Sequence, residues 1–362
     1  MAQLRIPGPT PLPPEVLQSQ TKQMINHRGS EYHAMMTDVT NKIKYIYQTK
    51  NDLFILTGSG TGGMEAAIVN MLSPGDQVLS VSIGVFGDRF ASIAQAFGAK
   101  IIPCKFEMGK AADPDVVRKA LEDNPDVKAV LITHNETSTG VTNDLAALSK
   151  VVKSFDKLLI VDCISSMSSI NCPVDEWQID VAISGSQKGW MAPPGLTFVS
   201  VSQKAWDAYS KAKMPRFYWD FGQAKKYLAK EETPWTPAVS VIYALQVGLN
   251  MLVKEGLENI FARHARVGKA TREGAKALGL KLVADEKYAS NTVTSIWLPA
   301  GIEYKALSKT MREDYQITIT GGQGALDGKI FRIGHLGWVD VNDIEECMAA
   351  LKGALTKLGY KN

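Results

Sequence analysis

Residues 157–202 read KLLIVDCISSMSSINCPVDEWQIDVAISGSQKGWMAPPGLTFVSVS. Three short apolar, β-branched runs stand in this stretch: Lys157–Asp162, Asp180–Ser184 and Leu196–Ser202. Each is apolar at successive rather than alternate positions, the pattern of a strand covered on both faces. The gap from Gly185 to Gly195 carries Pro193-Pro194 and is too short for a helical crossover, so Leu196–Ser202 is expected to run antiparallel to the strand before it.

Similar runs recur upstream at Leu53–Thr57, Gln77–Ser82, Lys100–Phe106 and Lys128–Thr133. Helix-like stretches separate most of them, for example Met64–Leu72 before Pro74-Gly75 and Asp88–Phe97 before Gly98. Such alternation requires crossover helices and a mostly parallel sheet. The expected fold class is therefore α/β, with a seven-stranded sheet in which one strand is reversed. From about Lys254 the pattern changes to an amphipathic Glu255–Leu278, strand-like Thr292–Leu298, a helix around Tyr304–Asp314, strand-like Gln316–Thr320 and Lys329–Gly334, and a closing helix from Asn342 to Leu358. The expected division is an N-terminal arm (1–16), a large domain (17–253) and a smaller C-terminal α/β domain (254–362).

The composition agrees. A chain of 362 residues exceeds what one hydrophobic core usually organises. With 45% hydrophobic and 21% charged residues it reads as globular rather than disordered. Forty Lys+Arg against 37 Asp+Glu leave a net charge of +3, too near neutral to argue for nucleic acid as the main partner. No stretch has the length of apolar sequence that spans a bilayer, and the start, Met1 to Pro9, lacks the basic-then-apolar run of a signal peptide. A cytoplasmic protein without membrane partners is expected. Cys104, Cys163, Cys172 and Cys347 form no Cys-x-x-Cys pair and read as buried thiols. His27, His33, His134, His264 and His335 are scattered without ligand spacing, so no metal is expected.

In open parallel sheets, ligands sit beyond the carboxyl ends of the strands. After the first strand comes Gly58-Ser59-Gly60-Thr61-Gly62-Gly63 and then a helix, which is a backbone-amide cradle for a phosphate, a dinucleotide loop or a plain tight turn. The strand Leu158–Val161 runs into Asp162, either a cap of its own loop or a functional carboxylate. Ser184-Gly185-Ser186-Gln187 leads to Lys188, which alone would read as a solvated surface charge. Together, a cradle, a strand-end aspartate and a lysine at the next strand's end are the parts that hold pyridoxal 5′-phosphate: a Schiff-base lysine, a partner for the pyridine nitrogen and a phosphate anchor.

With these parts in place the chain resembles the class V aminotransferases of the fold-type I pyridoxal-phosphate superfamily, in particular alanine–glyoxylate and serine–glyoxylate (pyruvate) aminotransferases. The motifs that carry the resemblance are Pro7-Gly8-Pro9-Thr10, Ser59-Gly60-Thr61, Gly84-Val85-Phe86-Gly87, His134 to Gly140, Val161-Asp162, Ser184 to Lys188, Thr233 to Pro237 and Phe331-Arg332-Ile333-Gly334. The resemblance implies that Lys188 and Asp162 are catalytic and also hold the cofactor. It assigns the phosphate to Ser59, Gly60, Thr61 and Gln187, and the two ring faces to Phe86, where the family often has Trp, and to Ile164. Thr236 matches a phosphate contact made from the other subunit of a homodimer with shared active sites. Asn135, Thr137 and Ser138 fall where the ring's 3-oxygen or the substrate is contacted. Arg332 matches the binder of the substrate α-carboxylate, and Gly8 and Ser138 are expected to contact the substrate with it. The implied reaction moves the amino group of alanine or serine to glyoxylate or pyruvate.

Other readings carry their own expectations. A cysteine desulfurase or β-lyase needs a nucleophilic cysteine on a small-domain loop, and Thr320 to Gly328 contains none. A nicotinamide-dependent dehydrogenase built on Gly58 to Gly63 leaves Lys188, Asp162 and Arg332 without a task. The aromatic and basic stretch from Lys211 to Lys230 is expected at a dimer contact rather than on nucleic acid. His27-Arg28 resembles a pair found in the serine–glyoxylate branch or is a plain surface pair, and His335 is expected to be a packed residue.

Overall fold

The computed structural model describes residues 3–361; Met1 and Ala2, at the start of the expected arm, and Asn362 lie outside the described residues. The central sheet has seven strands: β1 (Asp52–Thr57), β2 (Gln77–Ser82), β3 (Lys100–Lys105), β4 (Ala129–Thr133), β5 (Leu158–Asp162), β6 (Val181–Gly185) and β7 (Leu196–Val201). Their spatial order is β1-β7-β6-β5-β4-β2-β3, and β7 runs antiparallel to both its neighbours while the other pairs are parallel. The mixed α/β sheet with one reversed strand is thus as expected.

Alternate strand residues feed two cores. Leu53 and Ile55 of β1 pack with Val39 and Ile43 of the helix Ser30–Tyr47, whereas Phe54 and Leu56 pack with Met64 and Ile68 of the helix Gly60–Met71 and with Phe90 of the helix Val85–Ala96. Each fully buried aliphatic side chain contributes roughly 1.5–3 kcal/mol relative to exposure. A strand such as Leu158–Val161, buried at every position, can therefore hold a costly buried carboxylate, Asp162, at its end.

Two sequence boundaries shift for physical reasons. The helix expected at Met64–Leu72 begins at Gly60, so the glycines form its first turn instead of a preceding loop. Glycine's poor helix propensity hides that turn from a local reading. The expected strand Gln316–Thr320 divides. Ile317–Thr318 pairs in parallel with Gln3–Leu4, and β9 (Thr320–Gly321) pairs antiparallel with β10 (Ile330–Gly334).

A three-stranded antiparallel sheet thus has β10 between β8 (Val293–Trp297) and β9, backed by the helices Leu257–Ala277, Tyr304–Tyr315 and Val341–Lys357. The N-terminal arm is woven onto it: the Gly334 N–H donates to the Arg5 carbonyl at 2.8 Å and Arg5 pairs with Asp343. That anchoring carries Pro7 and Gly8 to the carboxyl end of β6, beside Lys188. Among the described residues no helix is long and apolar enough to cross a membrane.

Candidate active site

The carboxyl ends of β1, β5 and β6 face one cavity of about 200 Å³. Ser59, Gly60 and Thr61 line it from the first turn of the helix after β1, and Asp162, Ile164 and Ser165 from the end of β5. Gln187 and Lys188 line it from the turn after β6, with Asn135, Thr137, Phe86 and Arg89 completing the wall. Ser59 makes no side-chain cap, so the helix N-terminus keeps free N–H groups, and the Ser59 and Thr61 hydroxyls take no partner among the described residues. Gly60 is required by proximity: a Cβ there would lie 2.5 Å from Ile164 Cδ1.

Lys188 is half-buried, with its amine enclosed. Its Nζ donates to the Pro7 carbonyl, and burial pulls its pKa down to about 8 despite the attraction of Asp162, with Arg332 and Arg89 lowering it further. Gly8, at φ 132°, leaves no room for a side chain: a Cβ would stand 2.7 Å from Nζ. Asp162 accepts from the Ile164 N–H at 2.8 Å. Burial pushes its pKa up to about 7, Glu136 adds to the rise, and the Ile164 bond, Lys188 and Arg89 oppose it. The Gln187 Oε1 is buried without a partner.

Arg332, on β10, is 2% exposed, and burial lowers its pKa to about 10. Its Nε donates to the Gly321 carbonyl at 2.8 Å and Nη1 to the Thr137 carbonyl at 3.2 Å, with Gln323 Oε1 at 3.3 Å. Among the described residues no carboxylate pairs with it.

Other expected site residues are placed less directly. Asn135 stands at the cavity wall, but its amide donates to Ser165 and Thr292 and accepts from Ser290 and Thr142, which uses its full hydrogen-bonding capacity within the chain. The Thr137 hydroxyl donates to Ser165. The Ser138 hydroxyl donates to Glu136 at 2.6 Å and accepts from the Val85 N–H, so it is engaged at a helix start outside the cavity lining. Thr236 is exposed and does not line the cavity with Lys188.

Two contributors, Glu136 and Arg89, have no role in the sequence reading, and a third, Arg28, is left open there between a family pair and a surface pair. Glu136, fully buried, accepts from the Phe86 N–H at 3.0 Å and the Gly87 N–H at 3.1 Å, capping the helix that carries Phe86. Burial raises its pKa while these bonds and those from Ser138 lower it. Arg89, one turn along that helix, lays its guanidinium over the Phe86 ring at 4.7 Å. Arg28 donates to Glu232 and to the Thr233 carbonyl at 2.9 Å, and so holds the segment leading to Thr236. A signal for Glu136 existed, since an acid sat inside the motif from His134 to Gly140, but its partner lay fifty residues away. His335 is packed, as expected, against Thr294.

Residues 4–332 match the family model Aminotransferase class-V. A protein of Anabaena cylindrica named soluble hydrogenase 42 kDa subunit is 47% identical, over 99% of this chain and 94% of its own. A serine–glyoxylate aminotransferase of Methylorubrum extorquens is 36% identical, over 97% and 89%. Among solved structures, an alanine–glyoxylate aminotransferase from Nostoc sp. superimposes with a TM-score of 0.94 at 30% identity, over 98% of this chain and 95% of that one.

Proposed function

The chain belongs to the class V aminotransferase family and is a transaminase, and on that footing we propose that it uses pyridoxal 5′-phosphate to move the amino group of alanine or serine to glyoxylate or pyruvate. The observation that carries this reading is Arg332, a buried guanidinium with no carboxylate partner among the described residues, on the small sheet that abuts the cavity of Lys188 and Asp162. A substrate α-carboxylate supplies the missing charge and accepts two parallel hydrogen bonds.

The groups present fit the cofactor. A helix N-terminus without a side-chain cap and the hydroxyls of Ser59 and Thr61 suit its phosphate, with the unpartnered Gln187 Oε1 nearby for a donor. Asp162, whose buried charge has no ion-pair partner among the described residues, suits a protonated ring nitrogen. Phe86 and Ile164 offer apolar walls for the ring. When bound, the cofactor supplies an aldehyde and a ring that withdraws electrons from the substrate Cα.

Lys188 is the base on this reading. With its pKa drawn to about 8, a useful fraction of Nζ is neutral near pH 7.5, able to accept the Cα proton and to return it. The Pro7 carbonyl orients that nitrogen. Asp162, as carboxylate, would balance the charge of the protonated ring nitrogen, and Arg332 would fix the carboxylate so that the Cα–H bond is presented consistently to Lys188.

The reading includes a homodimer in the cytoplasm, with residues 17–253 as the cofactor-holding domain, 254–362 as the small domain and 1–16 as an arm. The break between the helices Val239–Glu255 and Leu257–Ala277 at Gly256, φ 81°, supports the division. The exposed Phe217, stacked 5.0 Å from the half-buried Trp235 beside the exposed Thr236, supports a subunit contact there. The desulfurase alternative gains nothing: Cys347 is buried in the helix Val341–Lys357, and the desulfurase from Thermococcus onnurineus, 16% identical, shares the fold alone. The name of the Anabaena relative suggests a different activity, but Lys188, Asp162 and Arg332 each have a task in transamination.

The test is a donor screen on the holoenzyme. Each common amino acid is added in turn while the visible cofactor band is followed. Loss of the band with alanine or serine, and its return with glyoxylate or pyruvate, is the expected result. Indifference to every small amino acid, with a response to amines lacking a carboxylate, would replace the reading by an amine transaminase.

A further inference from the structure

His134, Cys163 and Cys172 come from the residue after β4, the residue after β5 and the far end of the loop that follows β5, yet one ligand atom from each lies within 4.8 Å of the others. All three are buried. They do not line the active-site cavity, and the two sulfurs belong to the core around Tyr47 and Trp190. The Cys163 and Cys172 sulfurs are 3.7 Å apart. That is far beyond the roughly 2.05 Å of a disulfide, but it matches the edge of about 3.8 Å between two thiolates each about 2.3 Å from a tetrahedral zinc ion.

Two further observations fit a ligand here. The buried His134 ring is held edge-on against Trp177 at 5.8 Å and turns a nitrogen toward the Cys172 sulfur. The buried Ser166 hydroxyl faces the Cys163 sulfur, which offers a weak oxygen donor for a fourth position. Charge also balances. Two thiolates and a neutral imidazole around a dication make a neutral assembly, so burial that would penalise a bare thiolate does not penalise the filled site.

We infer that His134, Cys163 and Cys172 form a buried structural site for a thiophilic divalent cation, zinc by its donor set. Binding releases the two thiol protons and forms two S–Zn bonds and one N–Zn bond, with no change of oxidation state. The cation ties the ends of β4 and β5 to the loop 163–172, the segments that carry Asn135, Asp162, Ile164 and Ser165 to the cavity wall. Its role is to stiffen that wall.

The experiment reads metal, not turnover, so it is independent of the transaminase reading. The holoenzyme is incubated with zinc chloride, desalted and analysed for zinc by mass spectrometry, alongside Cys172→Ser and the control Cys104→Ser. About one zinc per chain in the wild type and in the control, with loss of most of it in Cys172→Ser, is the expected result. X-ray absorption of the wild type needs no variant and should show two sulfurs at about 2.3 Å and a nitrogen at about 2.0–2.1 Å. A wild type that retains no zinc, zinc with only oxygen and nitrogen neighbours, or a Cys163–Cys172 disulfide in the non-reduced peptide map would each overturn the site.

Discussion

Glu136 accepts a hydrogen bond from the Phe86 N–H at 3.0 Å, and through that bond an acid on the β4 side of the cavity fixes the helix that walls its other side. Four N–H and O–H donors converge on this carboxylate: Phe86, Gly87 and both groups of Ser138. In Glu136→Ala these donors stay buried without an acceptor, each a cost of about 1–3 kcal/mol before relaxation. A clear fall in the melting temperature is expected, together with weaker cofactor retention in dialysis. A variant with wild-type melting and retention would show that Ser138 alone holds the helix start.

Asp162 makes the apoprotein pH-sensitive. Its pKa is about 7 folded against an ordinary 3.8, so between those values the folded state binds more protons than the unfolded state. Stability from this group is full below about pH 3.8 and is lost as the pH rises through about 7, an effect on the order of 4 kcal/mol at most. The apo form of Asp162→Asn should therefore match or exceed wild-type apoprotein in chemical denaturation at pH 8, with the difference shrinking at pH 5. Its transamination should fall sharply, because a neutral amide does not hold a protonated ring nitrogen. Equal stability at both pH values would mean that the carboxylate is not desolvated.

Lys188 carries the opposite dependence on the reaction side. Only the neutral amine attacks an aldehyde, and burial sets its pKa at about 8. The rate at which apoenzyme takes up cofactor covalently should rise between pH 7 and 9 and then level. A rate flat in that window would place the amine's pKa elsewhere.

Arg332→Lys keeps a charge but loses the fork. Losing a hydrogen bond to a charged group costs about 1.5–3 kcal/mol, or roughly 10- to 150-fold in kcat/KM. The loss should fall on alanine and glyoxylate alike while the cofactor spectrum stays as in the wild type. A loss confined to one substrate would assign Arg332 to a side-chain pocket instead of the α-carboxylate.

Much of this site is legible along the chain because it is built from strand ends. Asp162 and Lys188 each follow an apolar run whose limits fall within a residue or two of the observed β5 and β6, and strand ends are where open sheets gather ligands. What escaped was set by partners distant in sequence. The arm at Gln3–Leu4 captures Ile317–Thr318, Arg28 reaches Thr233, and Glu136 meets Phe86, none of which leaves a local periodicity. The histidines that looked scattered include one, His134, that the ends of β4 and β5 bring beside two cysteines, because neighbouring parallel strands place their terminal residues side by side whatever lies between them. Asn135 shows the converse: its residue type suggested a ligand contact, but only the packed structure shows its amide already saturated.

The most direct test of the central claim follows the nitrogen atom. Holoenzyme is given L-[15N]alanine and glyoxylate, and the products are read by mass spectrometry for the wild type and for Lys188→Ala. The account predicts [15N]glycine and an equal amount of pyruvate from the wild type, with neither formed at a comparable rate by Lys188→Ala. Label released as ammonia, or [15N]glycine formed equally well without Lys188, would contradict it.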